Sequence, residues 1–386
     1  MGEQTGISWA DRTWSPWYGC TQVSMGPHGA CEGCYARFIS ETRQKRVVFG
    51  GPGRGEGTRD FRPDGAWKEP LRWEREQAAA VQEWRNRHAL GSGVPKPSCF
   101  VFPSMCDPFD NHPDLVEPRR RFFDLIRATP NLTWLLLTKR PGNIISLFCQ
   151  ATDQLHDRHG IIPVRDWPRN AAIGCTVVTQ EEADRDVPKL LAAKAALKPA
   201  FAFLSMEPLL GPVALNNLPW RFNAFDNHPG AAVKSVNALT GEVTSWDRGF
   251  PVQPGEAAPS LDWVITGGET DQGPHRARPS HPDWFRSLRD QCAGAGVPFH
   301  HKQHGEWVSA TQPEVKAVGD RSVAFAEWNG RGFEVFPADA LSDADEAEVP
   351  TDCAYYKVGK SKAGRTLDGV IHDARPAMLG SFGAAA

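Results

Sequence analysis

The chain has 386 residues, enough for one large domain with insertions or for two to three ordinary ones. A formal net charge of −3 and a pI near 6.5 exclude a global basic field, so any polyanion must be met by local patches. Hydrophobic residues make up 40%, ample for a sizeable core, yet no apolar run approaches the roughly 20 residues of a membrane span. The N-terminal MGEQTGISWADRTW lacks the basic-then-apolar layout of a signal peptide, and a cytoplasmic protein with no membrane association is expected.

The first feature along the chain is a group of cysteines. Nine are present, scattered except near the N-terminus, where TWSPWYGCTQVSMGPHGACEGCYAR gives C-x10-C-x2-C through Cys20, Cys31 and Cys34. A helix is expected from Tyr35, and MGPHG is expected to bulge outward. The glycine-rich stretch 50–66 reads as a mobile loop. Short apolar runs follow at Cys99–Ser104, Thr133–Thr138, Ala171–Val178, Phe201–Ser205, Trp263–Thr266 and Val297–His300. Continuous rather than alternating apolar runs fit strands buried on both faces, as in a parallel sheet. Between them, Asp114–Thr129, Glu181–Leu197 and Pro282–Ala295 have helical spacing; Phe285, Leu288 and Cys292 share one face.

Strand–helix alternation over about 200 residues implies an α/β fold, a partial or full parallel (β/α) barrel. The cysteine loop stands at its N-terminal end and a small appendage at its C-terminal end. Residues 1–306 are assigned to the barrel, with an insertion at 215–260. Residues 307–386 form a β-rich or irregular extension carrying the acidic run Ser342–Glu348.

In α/β proteins, sites gather at the C-terminal edge of the sheet. The strand ends here read Ser104-Met105-Cys106-Asp107, Thr138-Lys139-Arg140-Pro141, Thr179-Gln180-Glu181, Ser205-Met206-Glu207-Pro208, Thr266-Gly267-Gly268-Glu269 and His301-Lys302-Gln303-His304. A rim this polar favours an enzyme. The three cysteines are the metal ligands of choice. Thiolates suit iron–sulfur clusters and zinc alike, and three of them leave one tetrahedral position open. On a 4Fe-4S cluster that is a free iron; on zinc it is room for His28 or a water; merely buried thiols are the third alternative. A helix start beside Cys34 favours thiolate charge.

The stretch from Ser8-Trp9 through Thr13-Trp14-Ser15-Pro16 and Gly19-Cys20-Thr21 to Cys31-x2-Cys34-Tyr35-Ala36 resembles a phage-associated three-cysteine family of unknown function. The likeness continues in Leu136–Pro141, Leu204–Pro212, Gly267-Gly268-Glu269, Lys302-Gln303 and Val358–Arg365, and covers residues 7 to 375. That family in turn resembles the radical S-adenosylmethionine superfamily: three N-terminal cysteines, then a partial β/α barrel. The resemblance implies a 4Fe-4S cluster whose open iron is chelated by S-adenosylmethionine. It also implies an electron donor such as flavodoxin or ferredoxin, and a 5′-deoxyadenosyl radical that abstracts hydrogen from a substrate. A phage setting makes a nucleoside or nucleic acid a candidate substrate.

Two departures are visible. The superfamily spacing is C-x3-C-x2-C, and its aromatic before the third cysteine is replaced here by Gly33, with Tyr35 following instead. Position along the chain makes Glu207, Glu269 and Lys302 candidate catalytic residues, and Tyr35, Ser104, Asp107 and Ser205 candidate cofactor contacts. The rival readings are a zinc-stabilised nucleic-acid-binding or hydrolytic protein and a non-catalytic iron–sulfur module.

Other motifs are weaker. Gly359-Lys360-Ser361 lacks the upstream glycine of a P-loop, since Ala354 stands there. The Gly50–Gly57 run has the wrong spacing for a dinucleotide site. Lys357–Arg365 reads as a basic loop. His300, His301 and His304 read as a rim rather than a metal site. Trp14 and Trp17 flank the cysteine loop and are candidates to shield a cluster.

Overall fold

The computed structural model describes residues 5–52, 57–88, 94–155, 163–220, 233–247, 250–252, 257–311, 323–338 and 350–377. Seven strands make the main sheet: β1 (Arg12–Thr13), β2 (Phe100–Phe102), β3 (Thr133–Thr138), β4 (Ala171–Thr176), β5 (Ala202–Met206), β6 (Trp263–Thr266) and β7 (Phe299–His301). They pair in chain order and all in parallel. Spatial order that follows chain order is the arrangement of a β/α barrel. β1 and β7 do not pair, however, so the sheet is a curled half-barrel. Of the two expected forms the partial one is observed.

The strands are apolar throughout because both faces are covered. On β3, Trp134 and Leu136 point into the core under the helices, with Ile173, Cys175, Leu204 and Val264 of the neighbouring strands. Leu135 points the opposite way, onto the concave face, beside Phe100, Ala172, Phe203, Trp263 and Ile265, with Trp9 laid across them. The side-chain period is still two, but with each face apolar it leaves no alternation in the sequence. Truncating a residue such as Leu136 to Ala would cost about 2–5 kcal/mol.

Helices Val116–Arg127, Ile144–Ala151, Gln180–Leu197 and Pro282–Ala295 follow β2, β3, β4 and β6. Gln180–Leu197 starts where the Thr179 hydroxyl accepts from the Glu182 N–H, while the Glu182 carboxylate accepts from Val178 N–H at 3.0 Å. Pro282–Ala295 begins with proline in its first turn and stops at Gly296, in left-handed backbone. The expected helices are present, with the first shortened by a 3-10 turn at Pro113–Leu115.

Between β5 and β6 the chain carries an antiparallel sheet of its own, from Leu218–Pro219 to Phe250–Val252. From Trp307 onward a second antiparallel sheet is built from Trp307–Ser309, Ala354–Lys357, Phe325–Trp328 and Phe333–Phe336. The acidic run Ser342–Glu348 lies outside the described residues. Among the described residues no helix is long and apolar enough to cross a membrane.

Candidate metal and cofactor site

Beyond β1 the chain leaves the sheet and folds over its C-terminal edge. Trp17–Tyr18 pairs antiparallel with Asp60–Phe61, Gly19 pairs with Cys106 just past β2, and Thr21 pairs with Gly50. These contacts fix Cys20 over the strand ends. The ten-residue spacer closes on itself: Ser24 accepts the Cys31 N–H at its carbonyl and the Ala30 N–H at its hydroxyl, and the Glu32 carboxylate accepts the Gly26 N–H. Met25, Pro27 and His28 are exposed on the outward side, so the spacer bulges as expected and His28 does not join the cysteines. Cys34 then precedes the short helix Tyr35–Arg37.

Cys20, Cys31 and Cys34 line one cavity of about 120 Å³, together with Ser104, Cys106, Asp107, Thr138, Lys139, Arg140 and Thr176. The polar lining is thus the first two rim groups with Thr176 at the end of β4, brought side by side because β2, β3 and β4 are adjacent; Thr179, Gln180 and Glu181 do not line it. Phe49, Phe102, Met105 and Leu137 supply an apolar wall. Arg140 Nη1 donates to Asp107 Oδ2 at 2.7 Å and to Cys20 Sγ at 3.7 Å, and Nη2 donates to the Thr21 carbonyl. Behind this lies a fully buried pair: Arg59 donates to Asp110 Oδ2 at 2.5 Å and to Thr21 Oγ1 at 2.9 Å. Arg119, also buried, donates to the Pro108 and Asp110 carbonyls.

Burial raises Cys20, Cys34 and Cys106 alike, and a nearby cation opposes it at the first two. Burial, then Asp107 and Asp110, push the Cys20 thiol well above its ordinary range, with Arg140 opposing. Burial raises Cys34 too, with Lys139 opposing. Cys106 is raised by burial and Asp107, and no cation stands among its main influences. Burial works to lower the Lys139 ammonium, yet Cys31, Cys34, Cys20 and Asp107 hold it above its usual value.

The remaining candidates fall into separate places. Ser205, Glu207 and Lys302 form a second group at the ends of β5 and β7. Glu207 Oε2 accepts from Trp9 Nε1 at 3.2 Å, from Ser205 at 3.4 Å and from Lys302 Nζ at 3.4 Å. Gly267 makes room for it, since a Cβ there would stand 2.7 Å from Glu207 Oε1. Trp9 lies against Phe102, which lines the cysteine cavity, with centroids 4.6 Å apart and planes tilted by 50°, while Ser205, Glu207 and Lys302 do not line that cavity.

Glu269 is engaged elsewhere. Its buried carboxylate receives Arg278 Nη2 at 2.5 Å, Arg278 Nε at 2.7 Å and the Arg278 backbone N–H at 2.8 Å. Arg278 also donates to the carbonyls of Gly26, Pro27 and Gly29, so the pair is a buckle on the cysteine spacer. Tyr35 is 55% exposed and does not line the cavity. Trp14 and Trp17 are fully buried against Phe122, away from the cavity. The stretch 50–66 is not the loose loop expected of it, since Arg59 is locked to Asp110; residues 53–56 lie outside the described residues.

Lys139 and Arg140 stand in the strand-end pattern but were not singled out as site residues by sequence. Arg59 and Asp110 carry no local signal, being 51 residues apart.

Among the described residues no three His, Cys, Asp or Glu side chains converge tightly enough to hold a single metal ion. Thiolates around a polynuclear cluster stand further apart than around one ion. Cys20, Cys31 and Cys34, which line one cavity with Lys139 and Arg140 at its edge, are the thiols that could hold a metal centre together. No curated protein and no solved structure matches the chain. Over residues 4–376, nearly its whole length, it matches the family model described as “Protein of unknown function (DUF5131)”, and it belongs to that family.

Proposed function

We propose that the chain is a radical S-adenosylmethionine enzyme that holds a 4Fe-4S cluster on Cys20, Cys31 and Cys34 at the mouth of its half-barrel. One observation carries the reading: three thiols separated by C-x10-C-x2-C line one cavity at the C-terminal edge of a parallel sheet, where α/β proteins keep their sites. When bound, the cluster and S-adenosylmethionine supply one-electron cleavage of the sulfonium and a 5′-deoxyadenosyl radical that abstracts hydrogen from substrate. The chain's own part is placement. Phe49, Phe102 and Leu137 keep water from one side of the cavity, while Ser104 and Asp107 offer polar contacts on the other. Glu207 and Lys302, paired at the ends of β5 and β7, are the groups assigned to hold polar parts of a substrate. A nucleoside or nucleic acid is the substrate class suggested by the likeness to a phage-associated family.

A second reading rests on Cys106, which lines the same cavity. Were it a fourth ligand, the cluster would have no open iron and the protein would be a non-catalytic iron–sulfur module. Anaerobic reconstitution tests both. The enzyme reading expects about four irons per chain with matching sulfide, and slow release of 5′-deoxyadenosine with a strong reductant and S-adenosylmethionine. Stoichiometric zinc without sulfide overturns the cluster. A full cluster that releases no 5′-deoxyadenosine across several reductants moves the protein to the module.

A further inference from the structure

The strand end after β3 places two cations side by side against the cysteines, and only one of them is paired. Arg140 is spoken for: its guanidinium bridges Asp107 Oδ2, the Thr21 carbonyl and Cys20 Sγ. Lys139 is not. It is half-buried and lines the cavity, yet its ammonium makes no ion pair among the described residues. Its backbone N–H alone meets Asp107, at 3.3 Å. Asp110 is matched by Arg59 at 2.5 Å and Asp107 by Arg140 at 2.7 Å, with Arg119 adding a further buried cation on the Pro108 and Asp110 carbonyls, while buried Glu182 feels the Lys139 charge without forming an ion pair with it. Arg59, Arg119, Arg140 and Lys139 thus outnumber Asp107 and Asp110, and of these cations Arg140 and Lys139 line the cavity with the three sulfurs. A half-buried ammonium without a direct ion-pair partner is costly, and an anionic centre in the cavity would supply one.

We infer that Arg140 is a positioning residue for Cys20 and that, with Lys139, it supplies the charge that sets the reduction potential of the cluster. The inference rests on the function proposed above and goes further, because it assigns two residues outside the ligand set. Its physical basis is general. The reduced cluster carries one more negative charge than the oxidised one, so nearby cations and N–H donors to sulfur favour reduction. Arg140 does both, whereas Lys139 acts through charge alone. Arg140 also fixes geometry: its hold on the Thr21 carbonyl pins the residue after Cys20 to the strand end.

The test is a redox titration of anaerobically reconstituted full-length protein with dithionite, followed by electron paramagnetic resonance, with iron content and circular dichroism measured alongside. Lys139→Gln and Arg140→Gln are each expected to keep the cluster and to shift its midpoint negative. At a fixed ambient potential the ratio of reduced to oxidised cluster should fall about tenfold, equivalent to 59 mV for a one-electron couple. Arg140→Lys, which keeps the charge without the fork, should recover part of the shift. Unchanged midpoints in both glutamine variants at full iron content overturn the inference and leave the proposed function standing. If Arg140→Gln alone loses iron, the Lys139→Gln midpoint decides. Loss of iron from both, with wild-type circular dichroism, makes the pair a retention device and overturns the assignment to potential. Wild-type protein that takes up no iron overturns the proposed function itself, a separate result.

Discussion

Glu269 ends a strand of the half-barrel beside two glycines, a setting that suggests chemistry, but its contacts point to architecture. Both its oxygens receive Arg278, and Arg278 spends its remaining N–H groups on the carbonyls of Gly26, Pro27 and Gly29. The same buckle explains Gly33. A Cβ at Gly33 would meet Glu269 Oε1 at 2.5 Å and His275 Nε2 at 2.6 Å, and Glu269 cannot swing aside without releasing Arg278. Glu269→Gln should therefore lower iron retention and cost about 3 kcal/mol, the order expected when a buried ion pair loses one partner. Iron per chain and denaturant melts measure this. Full iron content and wild-type stability with lost turnover would return Glu269 to the list of direct contacts.

At the scale of elements, the cysteine loop and the strand ends make a set from which the four nearby thiols can be sorted. Lys139 and Arg140 offset burial at Cys20 and Cys34, while Cys106 sits beside Asp107 and Asp110 without such help. Replacing Cys20, Cys31 or Cys34 by Ala should each abolish the cluster, and Cys106→Ala should keep it. Cys99, whose thiol is pushed up to about 11 by burial, and Cys353, away in the second antiparallel sheet region, should be dispensable. Iron analysis of the six variants decides, and loss of the cluster in Cys106→Ala would favour four-cysteine ligation. The parts of this arrangement visible in the sequence were those with local signals. Runs such as TWLLLT show as strands because both faces are buried, and C-x10-C-x2-C is a motif in itself. β1 has two residues and no run to detect. Helix Lys68–Arg87 buries only Pro70, Trp73 and Val81, too thin a stripe to stand out among its charges. The Arg59–Asp110 pair and the Arg278 buckle join residues far apart in the chain, and no spacing rule reports such contacts.

Across the whole molecule, the open side of the half-barrel is where residues 8–11 meet residues 372–375. His301 N–H donates to the His372 carbonyl on the β7 edge, Trp263 Nε1 donates to the Ala374 carbonyl, and Arg375 reaches Asp11 and the Ser8 carbonyl beside β1. Segment 372–375 thus spans the gap that full closure would have removed, and His300 lies beneath it. His300 is fully buried, with Nε2 at 2.8 Å from the Ser8 hydroxyl and Nδ1 3.7 Å from Asp373. Burial lowers its pKa to about 4; Asp373 opposes the shift, and Arg365, Arg375 and Lys302 assist it. His301 beside it is lowered for the same reason, with His304 adding to the effect. The unfolded chain protonates this imidazole at its ordinary value of about 6.5, before the folded chain can, so its contribution is complete above that pH and is lost as pH falls toward the folded value. A group shifted this far should cost about 2 kcal/mol of stability between about pH 7.5 and about pH 5. His300→Gln keeps a partner for Ser8 and cannot titrate, so its unfolding free energy should fall less over that range than the wild type's, by about the same amount. Denaturant unfolding of both proteins at the two pH values measures the difference. Parallel curves would show that the seal between residues 8–11 and 372–375 carries no buried proton-sensitive group at His300.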